Sequence, residues 1–390
     1  MKKRKKITAM ICSALIISSL AACGNEKQAY YLEQQTKPSN HDVEVKIEDI
    51  TETTEADEWE SAQTAFDNIN VGWNLGSALE CYKGDTQTIS TQSLETSWGI
   101  TATTKETIDA IAAQGFGMVR IPVTYTNYMD ENGNIQEFWL DRVEEVVNYV
   151  IDNDMYCVIN VHHDTGSKGW IVAEQDCYDN NKDKIVNMWT QIANRFKDYD
   201  ERLMFEGFNE VLDSEQKWSD AKDSAYQVMN EYNQLFVDTV RATGKNNAYR
   251  NLIVNTYAAK SENKSINNFV LPDDSVENHI AVGVHIYCGY DSIAWFMDNL
   301  KPLTNKDIPI FVGEFGIQAK DNTVENRVKF VETFLNEASS KNITCAWWDD
   351  GFQQEGAENV YNFALINRKT YEWFFPEIVE ALTREGKGAR

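Results

Sequence analysis

Positive charge is what this sequence lacks most. Its 36 lysines and arginines face 61 aspartates and glutamates over 390 residues, a formal net charge of −25 at pH 7. A surface that acidic repels phosphate backbones, so nucleic acid is not an expected partner, and uncharged or cationic ligands fit better. No G-x-G-x-x-G or G-x-x-x-x-G-K-[ST] follows a strand-like run, which removes the usual cradles for nucleotide phosphates. Cysteine never occurs as C-x-x-C, so neither a zinc knuckle nor a redox pair is indicated. Compositional bias is missing as well: 42% hydrophobic and 25% charged residues are ordinary values, which excludes a collagen-like, low-complexity or wholly disordered chain. The length suits one large α/β domain or two medium ones.

What is present begins with Lys2, Lys3, Arg4, Lys5 and Lys6 ahead of an apolar run over 7–22, the layout of a secretory signal and too short to span a membrane. The run closes with Leu20-Ala21-Ala22-Cys23, which resembles a bacterial lipobox. That reading makes Cys23 the lipidated first residue of the mature protein and attaches it to a membrane; plain cleavage after Ala22 is the alternative. Both readings export the chain. Residues 23–61 carry Glu26, Glu33, Asp42, Glu44, Glu48, Asp49, Glu52, Glu55, Asp57, Glu58 and Glu60 with few large apolar residues, and read as a solvated acidic linker. Cys81, Cys157, Cys177, Cys288 and Cys345 remain in the body over 62–390, where five cannot all pair. They are expected as buried small hydrophobes with at most one or two disulfides.

Short apolar β-rich runs then alternate with longer amphipathic stretches, the pattern of βα units on a parallel sheet. Strands are expected at 71–75, 118–122, 156–162, 203–210, 252–255, 280–285, 310–314 and 343–348. Helical spacing appears at 104–113, 140–151, 185–196, 225–242 and 327–338, with a last helix over 371–383. Eight such repeats predict an α/β fold made of a single (β/α)8 TIM barrel, with an open doubly wound sheet as the alternative.

In a barrel the reacting groups sit at the carboxyl ends of the strands, where eight loops converge. Arg120, His162, His163, Asn209, Glu210, His285, Tyr287, Glu314 and Trp348 all fall there on these boundaries. Two apolar strands run into glutamates, Glu210 and Glu314. Paired carboxylates across a cleft are what glycosidic bond cleavage requires: one delivers a proton to the leaving oxygen, the other attacks the anomeric carbon. Arg120 is placed to keep one of them ionised. The histidines also admit a metal reading through His162, His163, Asp164 and His285, although neighbours on a strand point to opposite sides and the first strand lacks His-x-His. Trp73, Trp98, Trp170 and Trp348 offer flat faces for sugar rings; Trp347 is expected in the core.

The segments Gly72-Trp73-Asn74-Leu75-Gly76, Val119-Arg120-Ile121-Pro122, Asn160-Val161-His162-His163, Phe208-Asn209-Glu210, His285-Ile286-Tyr287, Gly313-Glu314-Phe315-Gly316 and Trp347-Trp348-Asp349, in this order, resemble glycoside hydrolase family 5, the retaining cellulase family. The resemblance runs from about Asn70 to Trp348. It implies a retaining endo-β-1,4-glucanase working by double displacement on a β-glucan polysaccharide, with xyloglucan, mannan or xylan as other backbones, without metal or organic cofactor, as a monomer. A non-catalytic glycan-binding lipoprotein is the reading from another class. By resemblance Glu210 is the acid/base and Glu314 the nucleophile, supported by Arg120, Asn209, His285 and Tyr287. Asn74, Glu80, His162, His163, Trp98 and Trp348 are the implied sugar contacts. Two positions depart from the family pattern: Ser77 stands where Asn is common, and Val211 where Pro usually follows the acid/base.

Overall fold

The computed structural model describes residues 59–84, 93–320, 322–352 and 363–388. The expected signal, Cys23 and nearly all of the linker lie outside the described residues. Eight parallel strands close into one barrel in sequence order: β1 (Gly72–Leu75), β2 (Met118–Ile121), β3 (Tyr156–Asn160), β4 (Leu203–Glu206), β5 (Leu252–Lys260), β6 (Ile280–Ile286), β7 (Ile310–Phe315) and β8 (Thr344–Asp349). The expected TIM barrel is the fold. The helices are α1 (Ala62–Asp67), α2 (Lys105–Ala113), α3 (Glu137–Ile151), α4 (Gln175–Arg195), α5 (Asp223–Ala242), α6 (Asn263–Asn268), α7 (Ile293–Asp298), α8 (Lys301–Thr304), α9 (Val324–Ser339) and α10 (Pro376–Gly388).

Strand residues alternate between the barrel interior and the helix layer, and the interior is itself layered. Met118, Val158, Met204, Ile253, Ala281, Phe311 and Ala346 form an apolar floor, closed from below by Ala62, Ala65, Phe66 and Ile69 at α1. Two residues further along the strands the interior turns polar, with Asn74, Arg120, Asn160, Glu206 and Asn255, all buried. The floor bars water from one end, so the polar layer faces the loops above. Glu60, within the stretch expected as linker, accepts hydrogen bonds from Asn68 Nδ2 (2.9 Å) and the Tyr156 hydroxyl (2.6 Å), which ties it to the barrel.

Several strand ends differ from expectation. β3 stops at Asn160 and β4 at Glu206, so His162, His163, Asn209 and Glu210 stand on loops. The Asn209 N–H reaches Val161 O (2.9 Å) and the Glu210 N–H reaches Thr165 Oγ1 (3.2 Å), contacts that fold the two loops against each other. β5 runs on to Lys260 through an irregularity at Ala258 and Ala259, whose φ values of 54° and 50° no apolar pattern announces. Among the described residues Cys81, Cys157, Cys177 and Cys288 carry free thiols, and Cys81, Cys157 and Cys345 are buried, so no disulfide joins the body cysteines to one another.

Candidate active site

The polar layer is organised by Arg120. A guanidinium carries five N–H donors in a fixed plane, and each one here has an acceptor. Nε donates to Glu206 Oε2 (2.6 Å) and Nη2 to Glu206 Oε1 (2.8 Å), a bidentate pair across the barrel from β2 to β4. Nη1 serves Asn74 Oδ1 and Glu314 Oε1, both at 2.8 Å, and Nη2 also serves Asn209 Oδ1 at 2.8 Å. Burial disfavours charge on both partners, yet the pairing outweighs it, holding Glu206 below the usual carboxylate range and Arg120 above its ordinary value.

Glu314, at the end of β7, receives one donor on each oxygen: Arg120 on Oε1, and the Tyr287 hydroxyl on Oε2 at 2.9 Å. Two donors suit an ionised carboxylate. Burial and the nearby Glu314 and Glu210 push the Tyr287 hydroxyl well up, so it stays a donor. Glu210 lies opposite, with Oε1 2.8 Å from His285 Nδ1, and the same nitrogen is 3.6 Å from Glu314 Oε2. Burial works against charge on His285, but Glu314 and Glu210 overcome it and raise its pKa. One oxygen of Glu210, one of Glu314 and a His285 nitrogen lie within 4.8 Å of one another. Inverting pairs stand roughly 6.5–9.5 Å apart to admit a water, so this spacing belongs with the retaining geometry.

The same three groups could be read as metal ligands, but Arg120 already sits 2.8 Å from Glu314, and a fixed cation there opposes a divalent one. The alternative through His162, His163, Asp164 and His285 is not assembled: among the described residues only Glu210, His285 and Glu314 bring three ligand atoms together. Asp164 spends its oxygens on the Tyr125 N–H (2.7 Å) and Trp170 Nε1 (2.8 Å), while His162 Nδ1 engages Asn160 (3.2 Å).

Around the acids the cleft is lined by uncharged groups. Burial depresses His162 well below its ordinary value and His163 to about 4, so both imidazoles are neutral hydrogen-bonding rings. The His162 ring lies parallel to half-buried Trp348, centroids 5.9 Å apart. His163 gathers with Tyr82 (5.0 Å) and Trp98 (5.6 Å) into a second aromatic group. Tyr82 went unnoticed in the sequence because it follows the strand by several residues.

Other expected sugar contacts are placed elsewhere. Asn74 is fully buried beneath the cleft, its Nδ2 donating to Gly313 O at 2.7 Å. Glu80 is equally buried and accepts the N–H groups of Ser77 and Ala78, clamping the turn in which Ser77 has φ 55°. Neither reaches open space, so neither touches substrate. Trp73 packs in the core against Phe116 and Trp373, and Lys184 covers the Trp170 face at 4.2 Å. Trp347 is in the core, as expected. Glu206 and Asn255 are the residues that sequence reasoning passed over. Asn255 Nδ2 donates to Glu206 Oε1 (2.9 Å), Phe208 O (2.7 Å) and Asn209 O (3.0 Å), binding the loop that carries Glu210 to the polar layer.

With this geometry in place, comparison with known proteins is direct. The family description "Cellulase (glycosyl hydrolase family 5)" matches residues 82–354. The chain belongs to glycosyl hydrolase family 5. It is similar to Endoglucanase B of Ruminococcus albus, 32% identical over 415 residues that cover 98% of this chain and 97% of that one. The Cellulase/esterase CelE of Acetivibrio thermocellus is 37% identical over 347 residues; 83% of this chain matches, spanning 40% of that longer protein. Among solved structures, a broad-specificity endoglucanase from Ruminococcus champanellensis with bound cellotriose superposes with a TM-score of 0.77 at 39% identity, covering 83% of this chain and 98% of that one. This family 5 member is therefore a glycoside hydrolase, and the resemblance expected from the motifs holds at the level of family, fold and enzyme class.

Proposed function

We propose that this enzyme is a retaining endo-β-1,4-glucanase acting on cellulose-type or mixed-linkage glucans. The observation that carries the reading is the approach of Glu210 and Glu314 to within 4.8 Å around His285. In the first step a Glu314 oxygen attacks the anomeric carbon as the glycosidic C–O bond breaks, and Glu210 passes its proton to the departing oxygen. In the second, water attacks the same carbon, its proton goes to Glu210, and the Glu314 ester bond breaks. Arg120 and Tyr287 hold Glu314 in line. Asn209 has its Oδ1 taken by Arg120, which turns its Nδ2 donor toward the cleft for a sugar hydroxyl. His162, His163, Trp98 and Trp348 form the sugar-binding wall.

The relatives named above as endoglucanases support β-1,4-glucan as the backbone, and xyloglucan, mannan and xylan, the other backbones the motif resemblance implies, remain second choices. Export with lipid attachment at Cys23 is part of the same proposal, supported by the lipobox-like run. Reducing-end release from carboxymethylcellulose, barley β-glucan, xyloglucan, glucomannan and xylan, with EDTA present and beside Glu210→Gln and Glu314→Gln, tests the reading. Release by the native enzyme alone supports it; no release from any backbone by folded protein sinks it.

A further inference from the structure

Glu206 is the acid of the buried layer that the two-carboxylate scheme leaves without a task. It cannot meet substrate, being 1% exposed. Simple neutralisation of Arg120 would need one contact, but Glu206 takes Nε and Nη2 together, the edge-on fork that fixes a guanidinium plane. Once that plane is fixed, the other donors have no choice of direction. Nη1 must point at Glu314 and Asn74, and the second Nη2 proton at Asn209. One carboxylate thus determines where an oxygen of Glu314 is held and which way the Asn209 amide faces. Glu206 is in turn held by Asn255 Nδ2 at 2.9 Å and Asn160 Nδ2 at 3.3 Å.

We propose that Glu206 is a positioning residue for hydrolysis: it locks the Arg120 plane and shares the Arg120 charge, and through both it sets where Glu314 stands and how tightly it is held. The inference rests on the double-displacement reading above. The charged and titratable groups facing this cluster are Arg120 from β2, His162 and His163 beyond β3, Glu210 beyond β4, His285 and Tyr287 at β6, and Glu314 on β7. Lys260 at the end of β5 lies over Trp218, and Asp349 on β8 is paired with Arg368. With Glu206 ionised, the Arg120 charge is divided between two carboxylates. Without it, the whole charge falls on Glu314, which is then held more tightly and gives up its negative charge less readily during attack.

The test compares Glu206→Gln and Glu206→Asp with the native enzyme on 2,4-dinitrophenyl β-cellobioside, whose leaving group needs no protonation, so the acid limb of kcat/KM reports on the nucleophile. Glu206→Gln keeps the size and removes the charge; we expect its acid limb moved to lower pH and kcat roughly tenfold down. Glu206→Asp keeps the charge but is one carbon too short for the fork; its limb should stay in place while kcat falls about as far. Folding is checked by thermal melts. A folded Glu206→Gln enzyme with an unmoved limb overturns the proposal. If that variant does not fold, Glu206→Asp decides, and native kcat in it overturns the proposal, as does failure of both to fold. Trapping the native enzyme with a 2-deoxy-2-fluoro cellobioside tests the underlying reading separately. An adduct on Glu314 with an unmoved limb removes only the Glu206 role, whereas no adduct removes double displacement itself.

Discussion

Asn74 Oδ1 accepts from Arg120 Nη1 at 2.8 Å, and the two residues are direct register partners on neighbouring strands. Asn74 also bonds Gly313 O, the residue before Glu314, so a buried amide joins the Arg120 plane to the strand carrying Glu314. Asn74→Ala is expected to lower kcat about 10²-fold with KM nearly unchanged, because it shifts the reacting groups without touching sugar. Steady-state kinetics on barley β-glucan check this. A raised KM at native kcat would instead place Asn74 against the substrate.

The roles proposed for Glu210 and Glu314 separate by leaving group. Glu210→Gln is expected to slow polysaccharide hydrolysis by roughly 10²–10⁴-fold while glycosylation by 2,4-dinitrophenyl β-cellobioside survives, visible as a burst of dinitrophenol. Glu314→Gln should abolish both. A burst from Glu314→Gln would reverse the assignment.

Burial raises Glu80 to about 7 from 4.5, so the folded state keeps a proton that the unfolded chain releases. Stability from this group is fully present below about pH 4.5 and is lost as pH rises through about 7, a change of about 3 kcal/mol. Asp350, also raised to about 7 by burial, adds to the same slope. Urea denaturation at pH 5 and pH 8 should show a smaller difference for Glu80→Gln than for the native protein. Equal differences would mean that Glu80 is ionised in the fold across that range.

Gly283 on β6 makes room for Asn255. A Cβ there would lie 1.8 Å from Asn255 Oδ1, and Asn255 is what ties the Glu210 loop to Glu206. Gly283→Ala is expected to cost about 1–3 kcal/mol of stability and to reduce kcat, by displacing that amide. Urea midpoints and kinetics on the same preparation check it; a native midpoint would show that the strand yields without effort.

The barrel was legible because each strand is a short apolar run bounded by polar residues, and each long helix repeats apolar residues three and four apart. Where these signals fade, boundaries moved. α4 begins at Gln175, ten residues before the expected start, because its first turns are polar and largely solvated. Glu210 and His162 were drawn into strands since a run of apolar neighbours does not reveal where pairing ends. Glu210 and Glu314 could be singled out as a pair because each glutamate closes an apolar run, and the structure brings the two within 4.8 Å. The buried layer was harder to read: Asn74, Glu80 and Glu206 are equally polar on paper, and only the interior register decides which meet the cleft and which lie beneath it. Glu206 was hidden by its setting among Leu203, Met204 and Phe205, where it reads as one more position of a buried strand.

The apolar floor formed by Phe66, Met118, Met204 and Phe311 has a consequence for proton traffic. Protons that enter or leave the layer of Arg120, Glu206, His285, Glu210 and Glu314 pass through the mouth of the cleft. A glycan chain lying across that mouth stoppers it. On the double displacement proposed above, what Glu210 gives away in the first half it recovers from the water that enters in the second, since no proton arrives through the floor.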